Sequence, residues 1–345
     1  MSSLTATSAY ARNIFIIVGG FLLLILILFV GYNLFSPFLV SFFPQKPDPA
    51  LVAFGKLPDI KLDDGIKPGG DIIYKIETIS GDLKEQQAKL KVFKIGTNTV
   101  KFGDLSRVNS IAQTIKFPVP PISVTNETAT YQDQIDKNKI LEIGILSSTF
   151  VLKSDYLNNP DVIANQEKNE AGNKQSAIAL LRSFGINQAD YPPEKMSLVR
   201  YKIDGGKLAQ ATTLASTNLE QVNFNHSDIG NITVTYPKYQ KPKIKMLTAA
   251  GRVLSADVYA TDLQLFSFST YPLKGVQKAF SDLKAGKAIY NKELGGNIFN
   301  IRDIKMSYLD TYADEEFLQP VYVFVSDDGL EAYVRAVSDT YIISN

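Results

Sequence analysis

The sequence predicts an α+β fold: one N-terminal transmembrane helix followed by repeated helix-plus-antiparallel-meander units. Three observations predict it. A long uncharged apolar run lies near the N-terminus. Beyond it, short runs alternate apolar and polar residues with period two, the mark of half-buried strands. Between those runs stand amphipathic stretches with period 3.6, each followed by further strand patterns.

The apolar run comes first. Residues 13–45 carry no charge, and residues 14–35, IFIIVGGFLLLILILFVGYNLF, are continuously apolar. As a helix the latter would span roughly 33 Å at 1.5 Å per residue, about the thickness of the hydrocarbon layer. A signal-peptide core is shorter, about 7–15 residues, and no small-residue cleavage site follows Tyr32 and Asn33. The reading is therefore a cytoplasmic tail over 1–12, a transmembrane helix over 13–36 in contact with the lipid bilayer, and a Pro-rich juxtamembrane linker over 37–70. Arg12 is the one charge before the helix and places the N-terminus in the cytoplasm, hence the C-terminal domain outside it. Pro44, Pro47, Pro49, Pro58 and Pro68 keep the linker extended.

A first α+β lobe is expected over 71–160 and a second over 161–345. In the first, residues 71–81 and 88–95 read as paired strands. Asp104 is an N-cap candidate for a helix over 104–115, with Leu105, Val108, Ile111, Ala112 and Ile115 on one face. Residues 161–184 read as a polar helix stopped by Gly185. Asp204-Gly205-Gly206 and Asp327-Asp328-Gly329 read as hairpin turns. Pro272 reads as the start of a third helix. Its Val276, Phe280 and Leu283 should pack on the terminal hairpin, so that emptying Phe280 would cost roughly 3–5 kcal/mol. Strand 321–326 is apolar on most of both faces, the pattern of a central covered strand.

The segment leading to IRDIKMSYLD and then FLQPVYVFVSDDGLEAYVRAVSD carries a resemblance. Leu318, Pro320, Val321, Tyr322 and Phe324 in one strand, and Tyr333, Val334, Ala336 and Val337 in the closing one, resemble the C-terminal region of the YycH/YycI family. The single membrane anchor is similar too. The resemblance covers the last 75 residues best. It implies a single-pass extracytoplasmic regulator of a sensor histidine kinase, related in shape to PepSY-type domains, and no catalytic residues.

Composition limits the chemistry. The 36 basic and 35 acidic residues give a net charge of +1, which excludes the concentrated positive field of a nucleic-acid binder. With no Cys and one His, neither a disulfide, a thiolate metal site nor a zinc site can be built. His226-Ser227-Asp228 are sequence neighbours, which seldom form a triad, and no Gly-x-Ser-x-Gly elbow exists, so His226 reads as a lone exposed side chain. Asp310, Asp314, Glu315, Glu316, Asp327 and Asp328 lack calcium-loop spacing and read as solvated turns. Asn126, Asn225 and Asn231 head sequons that matter only in a glycosylating host. No catalytic, cofactor or metal residue is assigned. The functional expectation is a membrane-anchored, extracytoplasmic, non-catalytic interaction or regulatory module of the cell envelope, with a membrane or envelope protein as partner. The alternative is a cell-envelope hydrolase working through paired carboxylates.

Overall fold

The computed structural model describes residues 18–32, 49–61, 66, 71–96, 104–237, 242–311 and 315–343. The chain forms two compact units, Met1–Pro49 and Ala50–Asn345. In the first, the described helix α1 covers residues 18–32. Fifteen residues rise about 22 Å, short of the ~30 Å hydrocarbon layer. Among the described residues no helix is long and apolar enough to cross a membrane. This overturns the expected transmembrane helix over 13–36, and with it the single-pass membrane placement of the chain. Residues 13–17 and 33–36 of that expectation, and the tail over 1–12, lie outside the described residues.

The second unit opens with an extended strap, residues 50–61, then β1 (Ile73–Ile76), β2 (Lys89–Ile95) and α2 (Asp104–Thr114). A meander follows: β3 (Ser123–Val124), β4 (Thr128–Gln132), β5 (Ile140–Gly144) and β6 (Thr149–Lys153). After α3 (Pro160–Ile163) and α4 (Glu170–Ser183) come β7 (Ser197–Asp204), β8 (Lys207–Gln210), β9 (Leu219–Phe224), β10 (Thr233–Thr235), β11 (Ile244–Ala249) and β12 (Arg252–Tyr259). The last stretch holds β13 (Leu263–Pro272), α5 (Val276–Lys284), β14 (Ile289–Tyr290), β15 (Ile298–Ile301), β16 (Asp303–Leu309), β17 (Phe317–Val325) and β18 (Glu331–Arg335). Strand takes up 37% of the chain, so the molecule is mostly β and the expected fold class is corrected accordingly. The physical reason is pairing: β-branched and aromatic alternating runs join into long antiparallel ladders, while the helices stay short.

Nine strands form one antiparallel sheet in the order β3-β4-β5-β6-β12-β11-β9-β7-β8. Period-two alternation sorts its faces. Across one row lie Tyr131, Leu141, Leu152, Ala256, Met246, Val222 and Leu198. They pack against Val108 and Ala112 of α2 and Ala177, Ile178 and Leu181 of α4. Each fully buried large apolar side chain contributes about 1.5–3 kcal/mol, which makes this row the main reason the sheet holds together. One residue along, the row reads Thr130, Glu142, Val151, Asp257, Lys245, Asn223 and Ser197. That face is polar.

The second sheet has seven strands: β10-β16-β17-β18-β14, with β2 on β17 and β13 on β2. β17 is central and buried except at Val325. Tyr322 and Phe324 face Val276, Ala279 and Leu283 of α5, while Val321 and Val323 cluster with Ile60 of the strap. Pro320 is tolerated in this strand because it stands where the ladder changes partner. Phe317 and Leu318 pair with β2, and Val321 onward pairs with β18. Strap and C-terminus meet through the Leu57 amide on Tyr341 O (2.8 Å) and the Ile343 amide on Leu57 O (2.8 Å). The third helix does not begin at Pro272, which ends β13 opposite Lys89. Gly275 caps α5 at φ 78, a left-handed geometry that glycine adopts without strain.

Candidate functional site

The two sheets meet at a polar cleft of 190 Å³. Three connections supply its charged centre. Lys243 leads into β11, Asp310 follows β16, and Thr261 lies between β12 and β13. Lys243 Nζ lies 2.8 Å from Asp310 Oδ1 and donates to Thr261 Oγ1 and to Thr311 O (3.1 Å). The Thr261 hydroxyl donates in turn to Asp310, at 2.9 and 3.0 Å from its two oxygens. The Thr261 amide donates to Tyr191 Oη at 3.4 Å. Burial, reinforced by the Asp310 charge, pushes the Tyr191 phenol far above its ordinary range. Glu315 lines the same cleft, and burial raises its carboxyl even though the Lys61 amide donates to it at 2.7 Å.

This arrangement resembles a hydroxyl–amine pair of the kind that activates a nucleophile, but its hydrogen bonds run the wrong way. An amine acting as base must offer its lone pair to the hydroxyl. Here the Lys243 ammonium donates to the Thr261 oxygen, and the Thr261 hydroxyl donates to the Asp310 carboxylate. The geometry ties two sheets together.

Among the other buried carboxylates are Glu167 and Glu220. Burial alone would raise the Glu167 carboxyl. The Ala250 and Asn169 amides, each donating at 2.7 Å, outweigh it and hold it below its ordinary value. Glu220 accepts from Asn173 Nδ2 at 3.0 Å and faces Arg200 Nε at 3.4 Å, while Asn173 Oδ1 accepts from the Gly251 amide at 2.9 Å. These groups pin α4 to β9 and to the β11–β12 turn. Neither glutamate lines the inter-sheet cleft.

The residues singled out in the sequence scatter. His226 is not exposed: it is buried, edge-on to Tyr191 with ring centres 5.2 Å apart. Its Nδ1 lies 2.8 Å from Ser227 O, and Asp228 pairs with Lys195, so no triad forms. Asp310 is no solvated turn but the buried centre of the cleft. Glu316 is exposed, Asp327 pairs with Arg302, and Asp328 pairs with Lys292; Asp314 lies outside the described residues. Among the described residues no three His, Asp or Glu side chains are placed to hold a metal. Lys243, Thr261, Glu167 and Glu220 escaped the sequence reading, because a lysine and a carboxylate 67 residues apart carry no local signal of pairing. No family model, curated protein or solved structure matches this chain.

Proposed function

We propose that the unit Ala50–Asn345 is a non-catalytic interaction or regulatory module. One observation carries the reading. Large apolar side chains stand on turns and a bulge, where they serve no core: Ile79 fully exposed, Ile135 95% exposed and Phe266 86% exposed. Ile135 sits in the β4–β5 turn. Phe266 sits where the β13–β2 register breaks between Gln264 and Phe268. Binding residues sit on loops held by a rigid scaffold, which is where these three apolar side chains stand. The resemblance of β17 and β18 to the YycH/YycI family supports a regulatory role, with a sensor kinase as the partner it implies. The hydrolase alternative is disfavoured because Glu167 and Glu220 are buried against groups that hold α4 and do not face each other across the inter-sheet cleft.

Photo-crosslinking residues placed at 79, 135 and 266 in the native host test the proposal. The expected result is one recurrent partner, at native abundance, from at least one position, and its loss on Ile135→Ser or Phe266→Ser. No adduct from any position would sink the reading. So would turnover of glycan or peptide by the purified chain that Glu220→Gln abolishes.

A further inference from the structure

The strap, residues 50–61, lies in a groove between β13, β17 and the C-terminal segment, held mainly by its backbone. The Leu51 amide donates to Thr270 Oγ1 (2.9 Å), the Val52 amide to Thr270 O (3.1 Å) and the Ala53 amide to Ser269 Oγ (2.7 Å). Gly55 O accepts from the Tyr271 hydroxyl (3.0 Å), and Pro58 O accepts from Gln319 Nε2 (2.8 Å). Ser269 and Gln319 are 0% and 1% exposed. Polar side chains so deep in a sheet need partners, and strap backbone supplies them. Main-chain bonding of this kind takes an extended segment with little regard to its sequence.

Two side chains add selectivity. Leu57 is fully buried among Val92, Tyr271, Phe317, Val337 and Ile342. Asp59 meets Arg335 at 2.6 Å. One residue fits badly. Val52 stands at φ 47, in the left-handed region, where a β-branched side chain is strained. Strain of this sort persists only where its surroundings enforce it, and it gathers at sites that bind or switch. The strap also belongs to no named strand of either large sheet, and Leu57 bridges only to Ile342, so its departure breaks no sheet ladder.

We propose that this groove is a peptide-binding site and that the strap is its autoinhibitory occupant. The ligand is an extended segment of another protein. It carries glycine in the place of Val52, which removes the strain, an aliphatic residue in the place of Leu57, and an acid in the place of Asp59 to meet Arg335. Binding requires the strap to leave and needs none of Ile79, Ile135 or Phe266, so it goes beyond the crosslinking surface proposed above.

The probe is a fluorescent peptide spanning residues 50–61 and carrying Val52→Gly, added to the full chain and followed by anisotropy. Saturable binding is expected, about tenfold tighter than for the natural strap peptide, the scale of one left-handed side chain. Adding Asp59→Asn to the peptide should weaken it about fivefold, through loss of the charged partner of Arg335. The chain's own strap competes, so its variants should act in opposite directions. Leu57→Ala in the full chain loosens the strap and should tighten peptide binding about tenfold or more. Val52→Gly in the full chain, which relieves strain and keeps the fold, should weaken it about tenfold. Hydrogen exchange of the Leu57 and Ile343 amides should proceed through an opening that leaves β17 protected. No saturable binding to wild type or to Leu57→Ala would overturn the proposal. So would equal affinity for wild type and Val52→Gly, or exchange of the Leu57 amide only together with β17. A concentration-dependent dimer that the peptide dissociates would assign the groove to the strap of a second copy and overturn the choice of a foreign segment.

Discussion

Asp282 shows how much one side chain decides in this molecule. It lies in α5 with its carboxylate almost out of water and three lysines on its two oxygens. Burial alone would raise its carboxyl, but the bonds from Lys274, then Lys278 and Lys287, reverse the effect and bring it down to about 2. The folded value lies below the ordinary one, so the stabilisation is complete above about pH 4 and is lost as pH falls through about 2. Asp282→Asn keeps the shape and removes the charge, leaving the buried Lys274 with Asp339 alone. We expect a loss of about 3 kcal/mol at neutral pH, the scale for breaking a buried pair. The variant's urea midpoint should also respond less to acid between pH 4 and 2 than the wild type's. Parallel curves for the two proteins would mean that Asp282 is not the group titrating. None of this was legible beforehand. Asp282 reads as one more polar position on an amphipathic helix, and its partners at 274 and 287 come from the segments that enter and leave that helix.

At the scale of elements the sequence was more informative, because period and punctuation are local. The pattern over 104–115 is α2, the turns at Asp204-Gly205-Gly206 and Asp327-Asp328-Gly329 close β7–β8 and β17–β18, and the doubly apolar strand is the buried β17. The polar helix over 161–184 failed. It is two pieces, and in the chain between them the buried Glu167 carboxylate accepts from the Asn169 and Ala250 amides, while Asn169 caps α4 by accepting from the Gly172 amide. Periodicity cannot register a break made for a buried carboxylate. α5 does pack on the terminal hairpin, but the weight falls on Val276, Ala279 and Leu283, while Phe280 is only half-buried. Its ring lies 6.2 Å from those of Phe324 and Tyr74. Phe280→Ala should therefore cost about 2 kcal/mol, below the 3–5 expected for a fully enclosed ring. Leu283→Ala, at a position with no exposure, should cost about 3 kcal/mol or more. Chemical denaturation of both variants checks the order; a Phe280→Ala loss larger than that of Leu283→Ala would place the helix in a different rotation.

Within Ala50–Asn345 the two largest apolar cores belong one to each large sheet, and a polar cleft forms the seam where those sheets meet. The nine-stranded sheet has its own core under α2 and α4, and the seven-stranded sheet has another under α5. The chain passes between the sheets after β2, on either side of β10, and after β12, so neither sheet is built from one uninterrupted stretch. β10 leaves one sheet to pair in parallel with β16 of the other before the chain returns to β11. The Lys243–Asp310 pair crosses between the sheets at 2.8 Å, with side chains 16% and 12% exposed. An exposed ion pair contributes about 1 kcal/mol at most, whereas one this enclosed, with Thr261 bridging both partners, should couple by about 2 kcal/mol. Lys243→Ala, Asp310→Ala and the double variant, unfolded in urea, measure that coupling, because the cycle removes the separate cost of stranding each partner. We expect a single transition for wild-type Ala50–Asn345. In either single variant the two sheets should unfold at separate midpoints, since the remaining partner is left enclosed and unpaired at the seam. A coupling below about 0.5 kcal/mol, with one shared transition in every variant, would assign the cooperativity to the chain crossings and leave the seam without an energetic role.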